Sequence, residues 1–371
     1  MARTTKMKRQ AGFSLLELMV SVSILVAVVG VTLKVLVDAQ HANEGVTLLA
    51  DLNANLRASM INMGRDIIQA GESVPQGGIG YPQGLAINWP APTGKSYTYP
   101  LPAPLPQSTT LMPVVPGAAE GLTINGAVTD AIWMIYADNS LLDANNHLIN
   151  SFPVTIASAS TTCTGSIAAT GLTVTFDPNC VVITGENAIV PGNLIMFTAP
   201  TGATSIQTVT SVAGQVVSFA AGDAFNFNGH VATKTPGSLY SLQTSPGSGT
   251  YGTTTATRVR LVTYYISNSN PNLPQLMRQV NFLAPQVIGQ GIESLQISYG
   301  IAGSNNPGSY ANGPGNAKYP TGTDTPAQIR EVNLFVAGRS ENTFSQGGQF
   351  FRDNMVTKVC VRSLSFINRY N

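Results

Sequence analysis

The sequence predicts an α+β protein in which a long amino-terminal helix packs on a carboxyl-terminal antiparallel β-sheet, with a large β-rich insertion between them. Residues 13–33 are apolar with Glu17 as their single charged residue, and an apolar stripe at helical spacing continues to Ile67. From residue 257 onward, runs of alternating apolar and polar side chains are typical of strands with one buried face. Only 10% of the 371 residues are charged, while 36 are glycine and 23 are proline, which favours β-structure with long loops.

Residues 13–34 are predicted to form a transmembrane helix. Because a helix rises about 1.5 Å per residue, the segment from Phe13 to Leu33 reaches about 31 Å, enough to cross the hydrocarbon core of a bilayer. Cations flanking such a segment stay on the cytoplasmic side, and here they precede it, at Arg3, Lys6, Lys8 and Arg9. We therefore expect a single-pass protein of the inner membrane with its carboxyl-terminal body in the periplasm.

The position of the small residues distinguishes this segment from a secretory signal peptide. In a signal peptide, an A-x-A-like cleavage site follows the apolar core, and no such pattern follows Leu33. The small residue is instead Gly12, which lies before the apolar run and directly before Phe13. Cleavage after Gly12 would remove residues 1–12 as a leader peptide and leave the apolar helix on the protein.

The residues KRQAGFSLLELMVSVSIL resemble the leader and cleavage motif of type IV pilins and of type II secretion pseudopilins. The shared features are a short basic leader, Gly12, Phe13, and a glutamate, Glu17, at the fifth position counted from Phe13. The resemblance implies that a prepilin peptidase cuts between Gly12 and Phe13 and methylates the new amino group of Phe13. The lipid bilayer would hold the helix before assembly.

The resemblance also implies a role for Glu17. A carboxylate inside the hydrocarbon core raises the free energy of membrane insertion by roughly 2.5–3.5 kcal/mol, so a functional role with a charged partner is expected. In the family, the glutamate of one subunit is thought to meet the amino-terminal ammonium of its neighbour, here the amine of Phe13. Because burying two charges costs about as much as their attraction returns, this pairing serves register more than strength. An ordinary signal anchor with a tolerated acid near the interface is the alternative.

Residues 35–71 are predicted to continue the helix in amphipathic form. Apolar residues recur at intervals of three and four on one face, at Leu49, Leu52, Leu56, Met60, Met63 and Ile67. Polar residues, Asp66 among them, are assigned to the other faces. The whole helix should reach about 85 Å, and its apolar stripe requires a sheet to lie on.

Residues 72–250 are predicted to be a Pro/Gly-rich and β-rich insertion. Cys163 and Cys180 bracket a short segment within it, as in a disulfide-closed hairpin of an oxidising compartment, and such a bridge would contribute ~3 kcal/mol. Two buried thiols are the alternative. The run DNSLLDANNHLIN is assigned to a hairpin turn, since it lacks the glycine and terminal glutamate of a calcium loop.

Residues 251–371 are predicted to form the carboxyl-terminal antiparallel sheet. The order of strands and loops resembles the corresponding half of PilW-type minor pilins and J-type pseudopilins. Cys360 lies in the strand-like run TKVCVRSL, where we expect a packed rather than a reactive thiol.

The sequence contains no motif for catalysis or for a metal. GxSxG and HExxH are missing, and the three histidines have no carboxylate or cysteine companions at ligand spacing. We therefore expect a protein that is not an enzyme and binds no cofactor. The net charge of +1 is spread without a basic stripe, so nucleic acid is not indicated as a main partner.

The leading hypothesis is a minor pilin that initiates or caps a type IV pilus and reaches the pilus tip. Its partners would be prepilin peptidase, other minor pilins, the major pilin and the assembly platform of the inner membrane. The alternatives are a minor pseudopilin of type II secretion, a membrane-anchored adhesin or DNA-binding module, and an anchored periplasmic enzyme. The last would require a cleft with converging titratable groups.

Overall fold

The computed structural model describes residues 14–99, 110–142, 145–149, 152–153, 165–183, 185, 188–229, 235–245, 247–302, 326–345 and 347–365. Of the predicted site residues, Gly12, Phe13 and Cys163 lie outside these ranges. The described residues combine one long helix with many antiparallel strands, which confirms the predicted α+β class.

The amino-terminal helix, α1, runs from Leu15 to Gln69 without interruption. Its 55 residues extend about 83 Å at the standard rise, so the helix covers most of both predicted helical segments. Neither Gly30 nor Gly45 interrupts it. The helix ends before Gly71, whose φ of 80° lies in the left-handed region that favours glycine. The N–H of Gly71 donates to the carbonyl of Ile135 at 2.8 Å, which turns the chain into the body.

The strands before residue 250 are short, at two to seven residues each. They are β1 (Ile79–Gly80), β2 (Ile87–Trp89), β3 (Tyr97–Tyr99), β4 (Thr110–Leu111), β5 (Val114–Gly117), β6 (Thr123–Ile124), β7 (Ala127–Val128), β8 (Ala131–Ala137), β9 (Leu141–Leu142), β10 (Leu148–Ile149), β11 (Phe152–Pro153), β12 (Ser166–Ile167), β13 (Thr173–Thr175), β14 (Leu194–Thr198), β15 (Thr204–Thr208), β16 (Ser211–Ala213) and β17 (Val216–Ser218). The pairing of β9 with β10 confirms the predicted hairpin.

The strands after residue 250 are longer, at five to thirteen residues. They are β18 (Thr255–Ser267), β19 (Gln275–Val280), β20 (Gln286–Gln290), β21 (Ile292–Ile301), β22 (Ile329–Arg339) and β23 (Arg352–Cys360). A short helix α2 (Arg362–Ser365) follows, and 3₁₀ turns occur at Leu239–Leu242 and Pro326–Gln328.

The carboxyl-terminal strands are divided between two antiparallel sheets, one of eight strands and one of three, where the sequence predicted a single sheet. In the larger sheet, β18 pairs with β14, β19, β8 and β11, and β15, β20 and β5 extend it. In the smaller sheet, β21, β22 and β23 lie in that order. The insertion thus supplies strands to the sheet that contains β18. All seven residues of β8 are buried, because alternate side chains pack into two cores on opposite faces of the sheet, Met134 with α1 and Trp133 with the short strands of the insertion.

The stripe of α1 packs on β-sheet, as predicted, and it forms one core with both of these sheets. Its buried members are 0–6% exposed: Leu52, Leu56, Met60, Met63 and Ile67. Full burial of such a side chain contributes about 1.5–3 kcal/mol. Leu49, the first residue of the predicted stripe, remains 37% exposed, so the packed face begins one turn later. The contacts of this face are with β20, β22 and β23 chiefly, which fixes α1 on the carboxyl-terminal strands.

A buried carboxylate, Asp130, joins the insertion to β21. Its two oxygens accept the backbone N–H groups of Ala119 and Ile297, each at 2.7 Å. Burial raises the pKa of Asp130 from 3.8 to about 6, although these two hydrogen bonds act in the opposite direction.

We expect Asp130 to lower the stability of the protein as the pH rises from about 4 to about 6. Because the folded-state pKa lies above the ordinary value, the folded state binds the proton more tightly in this window, so the contribution is greatest below it. The free energy of unfolding of the wild type relative to Asp130→Asn should fall by up to about 3 kcal/mol between pH 4 and pH 7. Denaturant titrations across this range measure the difference.

The matched control is Asp51→Asn, at an exposed aspartate of α1. This surface substitution should change the free energy of unfolding by no more than about 0.5 kcal/mol. A wild-type advantage over Asp130→Asn that grows with pH would contradict the prediction.

Candidate membrane anchor and assembly site

The amino-terminal end of α1 places Glu17 in the first helical turn. Ser14 is extended, with φ −68° and ψ 143°, and its carbonyl accepts the N–H groups of Glu17 at 3.0 Å and Leu18 at 3.1 Å. A carboxylate in the first turn interacts favourably with the helix dipole, by about 0.3–1 kcal/mol when exposed. Glu17 is exposed, four residues after Phe13. Its pairing with the amine of Phe13 in a neighbouring subunit stays a prediction.

The first half of α1 has an apolar surface on all sides. One stretch of 18 residues in α1 has a mean hydropathy of 2.5 and no buried residue, and α1 is the one helix in the described ranges that is long and apolar enough to cross a membrane. Its hydroxyl groups donate to carbonyls of the same helix: Ser21 to Glu17, Ser23 to Met19 and Thr32 to Val29, at 2.5–2.9 Å. Polar groups satisfied within the segment suit a hydrocarbon environment.

The loop between β22 and β23 holds α1 near its midpoint. The hydroxyl of Ser345 lies 2.8 Å from Nδ1 of His41 and also donates to the carboxylate of Glu44. This hydroxyl bond holds the pKa of Glu44 below its usual value. A Cβ on Gly45 would meet the ring of Phe351 at 3.6 Å, which is ordinary van der Waals contact. We call His41, Glu44 and Ser345 the helix clamp, because they fix the point at which α1 leaves the body.

A buried polar cluster fixes the other end of α1. Asp66 Oδ1 accepts the hydroxyl of Tyr136 at 2.9 Å, and Oδ2 accepts the hydroxyl of Tyr264 at 2.6 Å. The guanidinium of Arg278 donates to both oxygens, at 2.7 Å through Nε and 3.2 Å through Nη2. These four residues, the Asp66 cluster, connect the helix to β8, β18 and β19.

The charges of the Asp66 cluster stabilise one another. Burial and the charge of Asp66 raise the pKa of both Tyr136 and Tyr264. Burial alone would lower the pKa of Arg278, but the hydrogen bonds and charge of Asp66 outweigh it and raise that pKa. The guanidinium of Arg278 therefore stays charged at neutral pH, and the phenols of Tyr136 and Tyr264 beside it stay neutral.

The assignment of Asp66 to a polar face of α1 was wrong. Asp66 is 6% exposed, and it lies on the buried face because three donors satisfy its carboxylate. It follows Met63 by three residues and Ser59 by seven, both of which are buried, so it is in phase with the apolar stripe. The signal in the sequence for the burial of Asp66 was its spacing, which places an acid in phase with the apolar stripe.

The two cysteines within the described residues differ in their bonding. Cys180 is disulfide-bonded, whereas Cys360 is free. Because Cys163 lies outside the described residues, the predicted bond between Cys163 and Cys180 stays a prediction. The expectation of a packed Cys360 was wrong, since the alternation of β23 turns Val359 towards the core with α1 and places Cys360 on the opposite, exposed face of the sheet.

Comparison with known proteins adds one finding to this geometry. Residues 7–33 match the family model described as the prokaryotic N-terminal methylation motif, the prepilin signal of type IV pilin-type proteins. Searches of curated proteins and of solved structures gave no match to the chain. The matched residues include Gly12, Phe13 and Glu17 and extend over the first apolar turns of α1.

The motif and the helix together define a class of protein. The methylation motif indicates a type IV pilin-like or pseudopilin-like substrate of prepilin peptidase, and the apolar helix is consistent with membrane anchoring of such a protein. The motif is typical of structural subunits that assemble into a pilus or pseudopilus.

Proposed function

We propose that the protein is a minor pilin of the PilW type that takes part in initiating or capping type IV pilus assembly. The observation that carries the proposal is the methylation motif at residues 7–33, which continues directly into a helix fixed on a large β-rich body. Cleavage after Gly12 and methylation of Phe13 prepare the chain. It then assembles with other minor pilins and the major pilin on the inner-membrane platform, and its periplasmic body reaches the pilus tip.

The size of the body favours a terminal position in the filament. The larger sheet takes strands from the insertion on both edges of β18, which widens the body beyond the helix and its carboxyl-terminal strands. A subunit within the shaft has neighbours on every side, so an insertion of this size would have to project outward. A subunit at the tip has no neighbour above it, and its body is free of this constraint.

The proposal is tested by the mature amino terminus and by the composition of the filaments. Mass spectrometry of the protein from cells with prepilin peptidase should show N-methylated Phe13 as the first residue, and cells without the peptidase should retain residues 1–12. Sheared filaments should contain the protein in much smaller amounts than the major pilin. An intact leader in wild-type cells, or cleavage after Leu33, would exclude a pilin.

The same motif serves minor pseudopilins of type II secretion, which share this processing and are the second candidate. Pilus and secretion components are encoded in distinct gene clusters, so the neighbouring genes separate the two machines. Recovery of the protein with secretion pseudopilins, and its absence from pili, would exclude the pilus assignment while leaving the processing intact.

A further inference from the structure

A cleft of about 280 Å³ opens in the larger sheet between β14 and β19. Both strands pair with the same side of β18. Pairing with β14 ends at Val259 and pairing with β19 begins at Val262, so the two residues of β18 between them have no strand partner on this side. Asn281 fills this gap: its side chain accepts the N–H of Leu261 at 3.0 Å and donates to the carbonyl of Gly192 at 3.1 Å. The cleft therefore results from the gap between β14 and β19 along β18.

Positive charge is in excess around the cleft. Among the described residues that line it, the charged ones are Arg258, Arg260, Arg278 and Asp138. Nε of Arg258 and Nη2 of Arg260 lie 2.8 Å and 2.9 Å from the same oxygen of Asp138. A single carboxylate thus lies between two guanidinium groups, while Arg278 is paired with Asp66 beneath.

The two arginines beside Asp138 differ in access to solvent. Arg258 is 6% exposed and is held by the carbonyl of Ala188 at 3.0 Å and the hydroxyl of Ser140 at 2.7 Å. Arg260 is 39% exposed, so a solute that enters the cleft can reach its guanidinium. Arg258 and Asp138 therefore form the floor of the cleft, and Arg260 provides the positive charge that a ligand can contact.

The remaining lining indicates the class of ligand. A guanidinium group matches a carboxylate with two parallel hydrogen bonds. The amide side chains of Asn193 and Gln286 and the apolar side chains of Val190 and Leu283 also line the cleft, and together they suit a ring with hydroxyl groups and an apolar face. Its volume is at the lower end of ligand pockets, which limits the ligand to about one sugar ring.

We propose that this cleft binds a small acidic sugar, with the sugar carboxylate on Arg260. The site is separate from the processing motif, and it shares Arg278 with the Asp66 cluster. It would give the body a binding activity in addition to its place in a filament, and it does not depend on which machine receives the protein.

Calorimetric titration of the mature full-length protein in detergent micelles tests the proposal. The probes are sodium D-glucuronate, D-glucose and sodium acetate at constant ionic strength. Glucuronate should bind saturably, at least about tenfold more tightly than glucose or acetate. Arg260→Gln should weaken glucuronate binding by about tenfold or more, the usual effect of losing one charge-assisted hydrogen bond.

Two further variants keep the test decisive. Arg352→Gln is the matched control, because Arg352 is a 57% exposed arginine on β23 that pairs with Glu293, and its affinity for glucuronate should equal that of the wild type. Arg260→Lys retains the charge without the planar fork and should bind with intermediate affinity; it decides the question if Arg260→Gln does not fold. Wild-type protein that does not bind glucuronate, equal affinity for glucose or acetate, or unchanged binding in a folded Arg260 variant would overturn the proposal.

Discussion

Replacing Asp66 by alanine is expected to lower the free energy of unfolding of the protein by about 3–5 kcal/mol. The substitution leaves the partly buried guanidinium of Arg278 without its counter-charge, and it removes the acceptor of the hydroxyl groups of Tyr136 and Tyr264. Leaving a charge uncompensated inside the protein costs more free energy than losing an apolar contact. The effect of Asp66→Ala should therefore exceed that of Leu56→Val, which removes one methylene group from the stripe. Denaturant unfolding of the full chain in detergent measures it.

Asp51→Ala is the matched control, since Asp51 is an exposed aspartate on the same helix. Its effect should lie within about 0.5 kcal/mol of the wild type. A double-mutant cycle with Arg278→Ala should give a coupling energy of up to about 3 kcal/mol between Asp66 and Arg278. Equal stabilities for Asp66→Ala and Asp51→Ala would show that the Asp66 cluster does not hold the helix.

Replacing Glu17 by alanine is expected to leave membrane insertion and leader cleavage intact and to abolish most incorporation into filaments. The variant lengthens the uncharged run of α1, so insertion has no added cost. The proposed partner of Glu17, the amine of Phe13 in a neighbouring subunit, then loses its counter-charge in a low-dielectric environment. Immunoblots of the membrane and sheared-filament fractions, normalised to the wild type, measure the two steps separately.

Ser21→Ala is the control for Glu17→Ala, because Ser21 lies one turn further along the same apolar segment and its hydroxyl donates to the backbone carbonyl of Glu17, not to its carboxylate. This variant should enter filaments as the wild type does. Normal recovery of Glu17→Ala in sheared filaments would refute the assembly role of the carboxylate, while failed cleavage would assign Glu17 to processing instead.

The structure divides α1 into two parts with different environments. The helix clamp at Glu44 and the Asp66 cluster are 22 residues apart along α1, about 33 Å at the standard rise, and the apolar stripe packs between them. The part before the clamp presents apolar side chains to its surroundings. The body therefore holds one half of the helix rigidly and leaves the other half for lipid or for other helices.

Patterns of short range could be predicted from the sequence. The apolar run, the spacing of Leu52, Leu56 and Met63, and the hairpin of β9 and β10 each depend on neighbours within a few residues. Their physical causes are the periods of helix and strand and the chemistry of turns. For the same reason the alternation of β23 was visible, but the face of β23 that packs on the core was not, and Cys360 was assigned to the wrong face.

The sequence by itself determined the long apolar helix, the α+β class and the methylation motif, because these follow from local periodicity and from a short contiguous run of residues. Only the tertiary structure decided how the insertion joins β18, what satisfies Asp66, and which arginines line the cleft. Asp66 and Arg278 are 212 residues apart in the chain. Such partners are selected by the register of paired strands and by the cost of burying an unpaired charge, and neither leaves a local pattern.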